Sequence, residues 1–178
     1  MVMHRFNHSH MAIQIQTGFT IIELMIVVAI AAILALFAMP NMQDTVLNQR
    51  VRKSVSDMHL SLLFARSEAI KRNSTINLVR GGATWADGWT VQSGATVLRT
   101  NDALSSVTVA CDTNANGAAD ACPATISFTR TGRPSSMIDF WSYVNGNNKV
   151  IMRCVGISLS GRPTVQVDAD NNTANGCN

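Results

Sequence analysis

A chain of 178 residues has room for one domain and a small appendage. Its net charge of +3 is too modest to demand a polyanionic partner, although Arg5, Arg50, Arg52, Lys53, Arg66, Lys71 and Arg72 fall among the first 72 residues with only four acids. Apolar residues make up an ordinary 47%, but they are unevenly spread.

Residues 1–18 are polar, with three histidines and Arg5 as their one strongly basic side chain, and they end in Gln16-Thr17-Gly18. A start at Met1 or Met3 keeps Arg5 in the leader, whereas a start at Met11 leaves an uncharged one. The 21 residues Phe19–Met39 then form an almost unbroken apolar run. About 20 apolar residues in a helix cross the hydrocarbon core of a bilayer, so a membrane-spanning helix is predicted over 19–39. A secretory signal peptide would place its cleavage site after the apolar run, behind small residues. Here the order is inverted: polar leader, glycine, apolar segment.

Over 40–73 the apolar positions Leu47, Val51, Val55, Met58, Leu62, Ala65 and Ala69 recur at intervals of three and four, with Arg50, Lys53, Asp57 and Arg66 between them. This predicts an amphipathic continuation of the helix, kinked at Pro40 and stopped by Asn73-Ser74. Beyond it the period becomes two. Thr75–Val79, Trp89–Gln92, Thr96–Arg99, Val107–Ala110, Thr125–Thr129, Val150–Cys154 and Thr164–Val167 are short β-branched runs, punctuated by Gly81-Gly82, Asp87-Gly88, Asn116-Gly117, Asn145-Gly146 and Asn175-Gly176. The expected class is α+β, with an antiparallel β domain over 74–178 packed on the amphipathic helix. A short echo, Thr131-Gly132-Arg133-Pro134-Ser135 and Ser160-Gly161-Arg162-Pro163-Thr164, reads as two similar turns at strand ends.

All four cysteines, Cys111, Cys122, Cys154 and Cys177, follow the apolar run. An even count confined to one side of a membrane segment predicts two disulfides in an oxidising compartment. Neighbour pairing, Cys111–Cys122 and Cys154–Cys177, is the simplest of three connectivities, and sequence alone does not choose. Irregular gaps without a C-x-x-C knuckle argue against zinc.

Glu23 stands alone in the apolar run, and a carboxylate at membrane depth costs about 3 kcal/mol or more. A buried amine beside it would offset that cost by charge pairing. The α-amino group created at Phe19 by a cut after Gly18 supplies one, if it comes from a neighbouring copy of the same kind of subunit.

Gly18-Phe19-Thr20-x-x-Glu23, followed by about twenty apolar residues and Pro40, resembles the class III signal of type IV pilins and type II secretion pseudopilins. That resemblance implies cleavage after Gly18 by a membrane aspartyl peptidase, methylation of Phe19 and assembly guided by Glu23. It also implies an anchor in the inner-membrane lipid, a periplasmic β domain and other pilin subunits as partners, with no cofactor. Leu63-Phe64-Ala65-Arg66-Ser67-Glu68-Ala69-Ile70-Lys71-Arg72-Asn73 is similar to the helix end of GspH/FimT/FimU-type minor subunits. Trp85-Ala86-Asp87-Gly88-Trp89, Ile126-Ser127-Phe128 and Ile157-Ser158-Leu159-Ser160-Gly161-Arg162 resemble that family's later landmarks. Both a pilus and a secretion pseudopilus use such subunits, and the disulfides with the Gly-Arg-Pro turn lean towards the pilus. The chain departs from the pattern in having no Lys or Arg close to Gly18, and Arg50, Arg52 and Lys53 on the outer side run against the positive-inside count.

FimT-like subunits bind DNA through a Gly-Arg-x-Arg element. The matching position here is Gly161-Arg162-Pro163-Thr164, with threonine for the second arginine, and Arg130, Arg133, Lys149 and Arg153 are further candidates if they cluster with Arg162. Asp112, Asn114, Asn116 and Asp120, with Gly117 at the sixth position, resemble the start of a calcium loop. Pro123 stands where the bidentate acid belongs, and a disulfide-closed turn explains the same composition. His59 is the one histidine after the leader, and no Ser/His/Asp set or glycosidase-like carboxylate pair can be assembled, so no enzymatic activity is expected.

Overall fold

The structure, a computed structural model, describes residues 18–177, without the side chains of 36–41. The leader expected over 1–18, apart from Gly18, and the side chain of Pro40 lie outside the described residues. The chain divides into two compact units, Met1–Met39 and Pro40–Asn178. One helix, α1 (Ile21–Arg72), contributes to both. Among the described residues no helix is long and apolar enough to cross a membrane.

In the second unit, α1 buries Val51, Val55, Met58, Leu62, Ala65 and Ala69, with Leu47 half-buried at the edge of the same core. These are the positions picked out by the helical spacing. The helix stops in a Schellman arrangement. Asn73, at φ 49, takes the left-handed position that asparagine tolerates, and the N–H groups of Asn73 and Ser74 donate to the carbonyls of Ile70 and Ala69, both at 3.2 Å. Lys71 and Arg72 occupy the last turn, where the helix dipole favours cations, and both pair with the buried Glu68. The Arg72 hydrogen bond holds the Glu68 carboxyl below the usual glutamate range.

Eight strands follow: β1 (Ile76–Arg80), β2 (Trp89–Ser93), β3 (Thr96–Asn101), β4 (Thr108–Asp112), β5 (Thr125–Phe128), β6 (Ile138–Tyr143), β7 (Arg153–Ile157) and β8 (Pro163–Val167). They form two four-stranded sheets, ordered β3-β2-β1-β5 and β4-β6-β7-β8, with antiparallel pairing throughout. Period-two burial carries the first sheet: Ile76 and Leu78 of β1, Trp89 and Val91 of β2, and Ile126 and Phe128 of β5 enter one core with the helix face. Val109, Ile138, Phe140, Val155 and Ile157 of the second sheet enter the same core.

Trp85, on a single 3-10 turn (Trp85–Asp87), joins the two sheets. Its ring lies 6.5 Å from Trp89 and 5.2 Å, edge to face, from Phe140. Such pairs add about 0.5–1.5 kcal/mol beyond the area they bury. Both indole N–H groups are satisfied, Trp85 by the Pro123 carbonyl at 3.0 Å and Trp89 by the Ser61 hydroxyl at 2.9 Å. Ser61 in turn donates to the Asp57 carbonyl at 2.7 Å, and buried Ser54 meets Ser142 at 2.9 Å. The small side chains of Ser54 and Ser61 thus meet β6 of one sheet and β2 of the other.

The spacing missed β6 and placed β7 too early, at Val150–Cys154. Phe140, Trp141 and Ser142 are all buried, because the second sheet is covered on both faces and alternation is lost. On the face away from α1, Trp141, Met152 and Cys154 form a second cluster with half-buried Cys177. Cys154 is bonded to Cys177, which holds the C-terminal segment over that face, and Cys111 is bonded to Cys122.

Candidate functional site

At the N-terminal end of α1, Thr20 caps the helix. Its hydroxyl accepts the N–H of Glu23 and its carbonyl accepts the N–H of Leu24, both at 3.2 Å. Threonine followed three residues later by glutamate is a helix-start signature, so Thr20 was findable from sequence and was missed. Glu23 therefore occupies the first turn, where the helix dipole favours a carboxylate. Around it the apolar run is bare: Phe19 is 87% exposed, and Ile21, Ile22, Leu24, Met25, Ile26, Val27, Val28, Ile30, Ile33 and Leu34 are all exposed. A contiguous apolar surface of this extent marks a membrane or a protein interface.

The two Gly-Arg-Pro turns come together. Gly132 and Gly161 both sit at φ 75, and a Cβ on Gly161 would overlap the Gly132 carbonyl oxygen. Both pack against α1, where a Cβ on Gly132 would come within 2.7 Å of Ile70 Cδ1 and one on Gly161 within 3.4 Å of Arg66 Nε. That Nε is shut off from water with no hydrogen-bond partner. The echo is thus a paired feature of the fold, with Arg133 and Arg162 exposed on adjoining turns.

The other expected DNA-contacting residues lie elsewhere. Lys149 pairs with Asp44 at 3.8 Å, and Arg153 sits beside Arg52, Ser56 and His59. At a rise of about 1.5 Å per residue, the helix positions beside Lys149 and beside Arg162 are separated by about 33 Å. Arg133 and Arg162 are gathered; Lys149 and Arg153 are not.

In the loop expected to resemble a calcium site, the oxygens turn to the loop's own backbone. Asp112 Oδ1 accepts the N–H groups of Asn114 at 2.9 Å and Ala115 at 2.8 Å, and Oδ2 that of Gly117 at 2.7 Å. Asn114 and Asn116 accept the N–H groups of Asn116 and Ala118. Asp120 accepts both the N–H and the hydroxyl of Thr113 at 2.8 Å, which hold its carboxyl below the usual range. Among the described residues no group of three or more His, Cys, Asp or Glu side chains could hold a metal ion. The loop meets the other disulfide-closed segment, where a Cβ on Gly117 would lie 2.8 Å from the Asn175 carbonyl. Together they wall a cavity of about 490 Å³ that also reaches Asp139, Trp141 and Gly156. Burial, and then the Asp112 charge on the facing strand, push the Asp139 carboxyl up.

Comparison with known proteins agrees with this architecture. A fimbrial protein of Pseudomonas aeruginosa is 40% identical over 62 residues, which span 35% of this chain and 40% of that protein's length. The crystal structure of the type IV minor pilin FimU of Pseudomonas aeruginosa superposes with a TM-score of 0.55 at 20% identity, covering 73% of this chain and 96% of FimU. The minor pseudopilin EpsH of the Vibrio cholerae type II secretion system matches with a TM-score of 0.50 at 11% identity, covering 69% of this chain and 96% of EpsH. At such identities the two structures speak for the fold. Residues 14–39 match the prokaryotic N-terminal methylation motif. Residues 54–161, more than half of the chain, match the type II transport protein GspH family, and the chain belongs to that family.

Proposed function

We propose that this chain is a minor pilin or pseudopilin, a structural subunit of a type IV filament that is cut after Gly18, methylated at Phe19 and assembled through Glu23. The observation that carries this reading is a lone carboxylate in the first turn of an otherwise apolar and exposed helical segment. Before assembly, that segment lies in the inner membrane with the β domain in the periplasm. In the sequence the apolar run extends from Phe19 to Met39, which is long enough to span. On extraction into a filament, Glu23 pairs with the free amino group of Phe19 in a neighbouring subunit. Burial then strengthens the pairing that offsets the cost of the charge in lipid. The β domain, with its disulfides, offers the surface that meets other minor subunits.

The test is Glu23→Ala in the full-length chain, produced in cells that assemble the filament. Wild-type protein is expected in the sheared filament fraction. The variant is expected to accumulate in the membrane, with filament incorporation reduced about tenfold or more, as loss of roughly 1.4 kcal/mol or more of pairing energy implies. Equal incorporation of variant and wild type would remove Glu23 from the assembly mechanism.

A further inference from the structure

Midway along the part of α1 that belongs to the β-rich unit, a cleft of about 190 Å³ opens between the helix and the second sheet. Arg52, Val55, Ser56 and His59 line it from α1, Arg153 from β7 and Val165 from β8. The helix residues fall at intervals of three and four and so share one face. No acidic side chain lines the cleft. Neither guanidinium has an ion-pair or hydrogen-bond partner among the described residues, and Arg153 Nε is cut off from water. The neighbouring Lys53 is paired with Asp57 at 2.6 Å, so the helix has used its local acid elsewhere.

Two guanidiniums facing each other across a cleft repel, and a buried N–H donor without an acceptor is unfavourable. Burial first, and the charge of Arg52 second, loosen the hold of Arg153 on its proton, although a guanidinium stays cationic at any physiological pH. Both penalties disappear if an anion enters. A guanidinium presents a planar fork of donors that matches carboxylate or phosphate oxygens, and two forks can share one such group. The Ser56 hydroxyl and the His59 ring are further donors on the same wall. The cluster is compact, with the candidate cations Lys149 and Arg162 at other places along the helix. It fits one group and lacks the track of cations that a nucleic-acid strand needs.

We propose that this cleft is an oxyanion-binding site in which Arg52 and Arg153 close on a single carboxylate or phosphate group. The two sources of such a group are an acidic side chain presented by a partner protein and a free phosphate. Val165, exposed beside Arg153, leaves an apolar wall against which the stem of an acidic side chain would lie.

The experiment uses the full chain in an uncharged detergent at low salt, titrated by NMR with inorganic phosphate and, separately, with N-acetyl-glutamate amide, which carries one side-chain carboxylate. Saturable binding of at least one probe is expected, with His59 resonances shifting. Arg52→Gln and Arg153→Gln should each weaken it by about tenfold or more, whereas Lys53→Gln should change it by less than about twofold. Arg52 is exposed, so its variant remains informative even if Arg153→Gln impairs folding. Tighter binding of the glutamate probe assigns the site to a partner's acidic side chain, and tighter binding of phosphate assigns it to the free ion. Binding of neither probe, or binding unchanged in Arg52→Gln, overturns the proposal.

Discussion

Gly161 shows how a single backbone position can hold two distant segments together. Its positive φ already disfavours a side chain, and the Gly132 carbonyl occupies the space a Cβ would need. Gly146 has nearly the same φ, 74, but nothing within 4 Å of where its Cβ would be. Alanine at 146 should therefore cost about 1 kcal/mol from strain alone, and alanine at 161 about 3 kcal/mol or more, because backbone on both sides must shift. Denaturant titration of the two variants checks the difference. Asp139 makes a prediction of the opposite sign. Burial and the facing Asp112 raise its pKa on folding, so the folded protein binds that proton more tightly than the unfolded chain. Its unfavourable contribution is absent below the unfolded value and grows as pH rises through the raised folded value. Asp139→Asn should be more stable than wild type at neutral pH, with the two thermal midpoints converging as pH falls below the usual aspartate range.

At the scale of elements, the two disulfides do different work. Cys111 belongs to the main core, whereas Cys177 fastens the C-terminal segment over Trp141 on the outer face of the second sheet. The loops they close span 11 and 23 residues, for which chain entropy gives about 3 kcal/mol each. Replacing Cys154 and Cys177 by serine should speed hydrogen exchange at Met152, whose N–H donates to Asn171, while α1 from Val51 to Ala69 stays protected. Replacing Cys111 and Cys122 should lower the melting midpoint of the whole domain. The helix face from Leu47 to Ala69 was legible in the sequence because one helix buries one stripe against one core. β6 was not legible, because Ile138, Phe140, Trp141 and Ser142 are buried on both faces and no period survives. The start of β7 was misplaced because Val150 and Met152 are buried ahead of the strand, while Gly156 breaks the β-branched pattern within it. The pairing of the two Gly-Arg-Pro turns and the meeting of Arg52 with Arg153 depend on tertiary contact, which no local pattern encodes.

At the scale of the whole molecule, the order of polar stretch, glycine, apolar run and amphipathic segment is written directly in the sequence; residues 14–39 match the N-terminal methylation motif and residues 54–161 the GspH family. In the proposed assembly a new chain end at Phe19 meets Glu23 of a neighbouring subunit. Mass spectrometry of the protein recovered from filaments tests this most directly. The account predicts an N-terminal peptide that begins at Phe19 and carries one methyl group on its amino nitrogen. An N-terminal peptide that retains Gly18, or a chain whose first residue lies beyond Phe19, would contradict it.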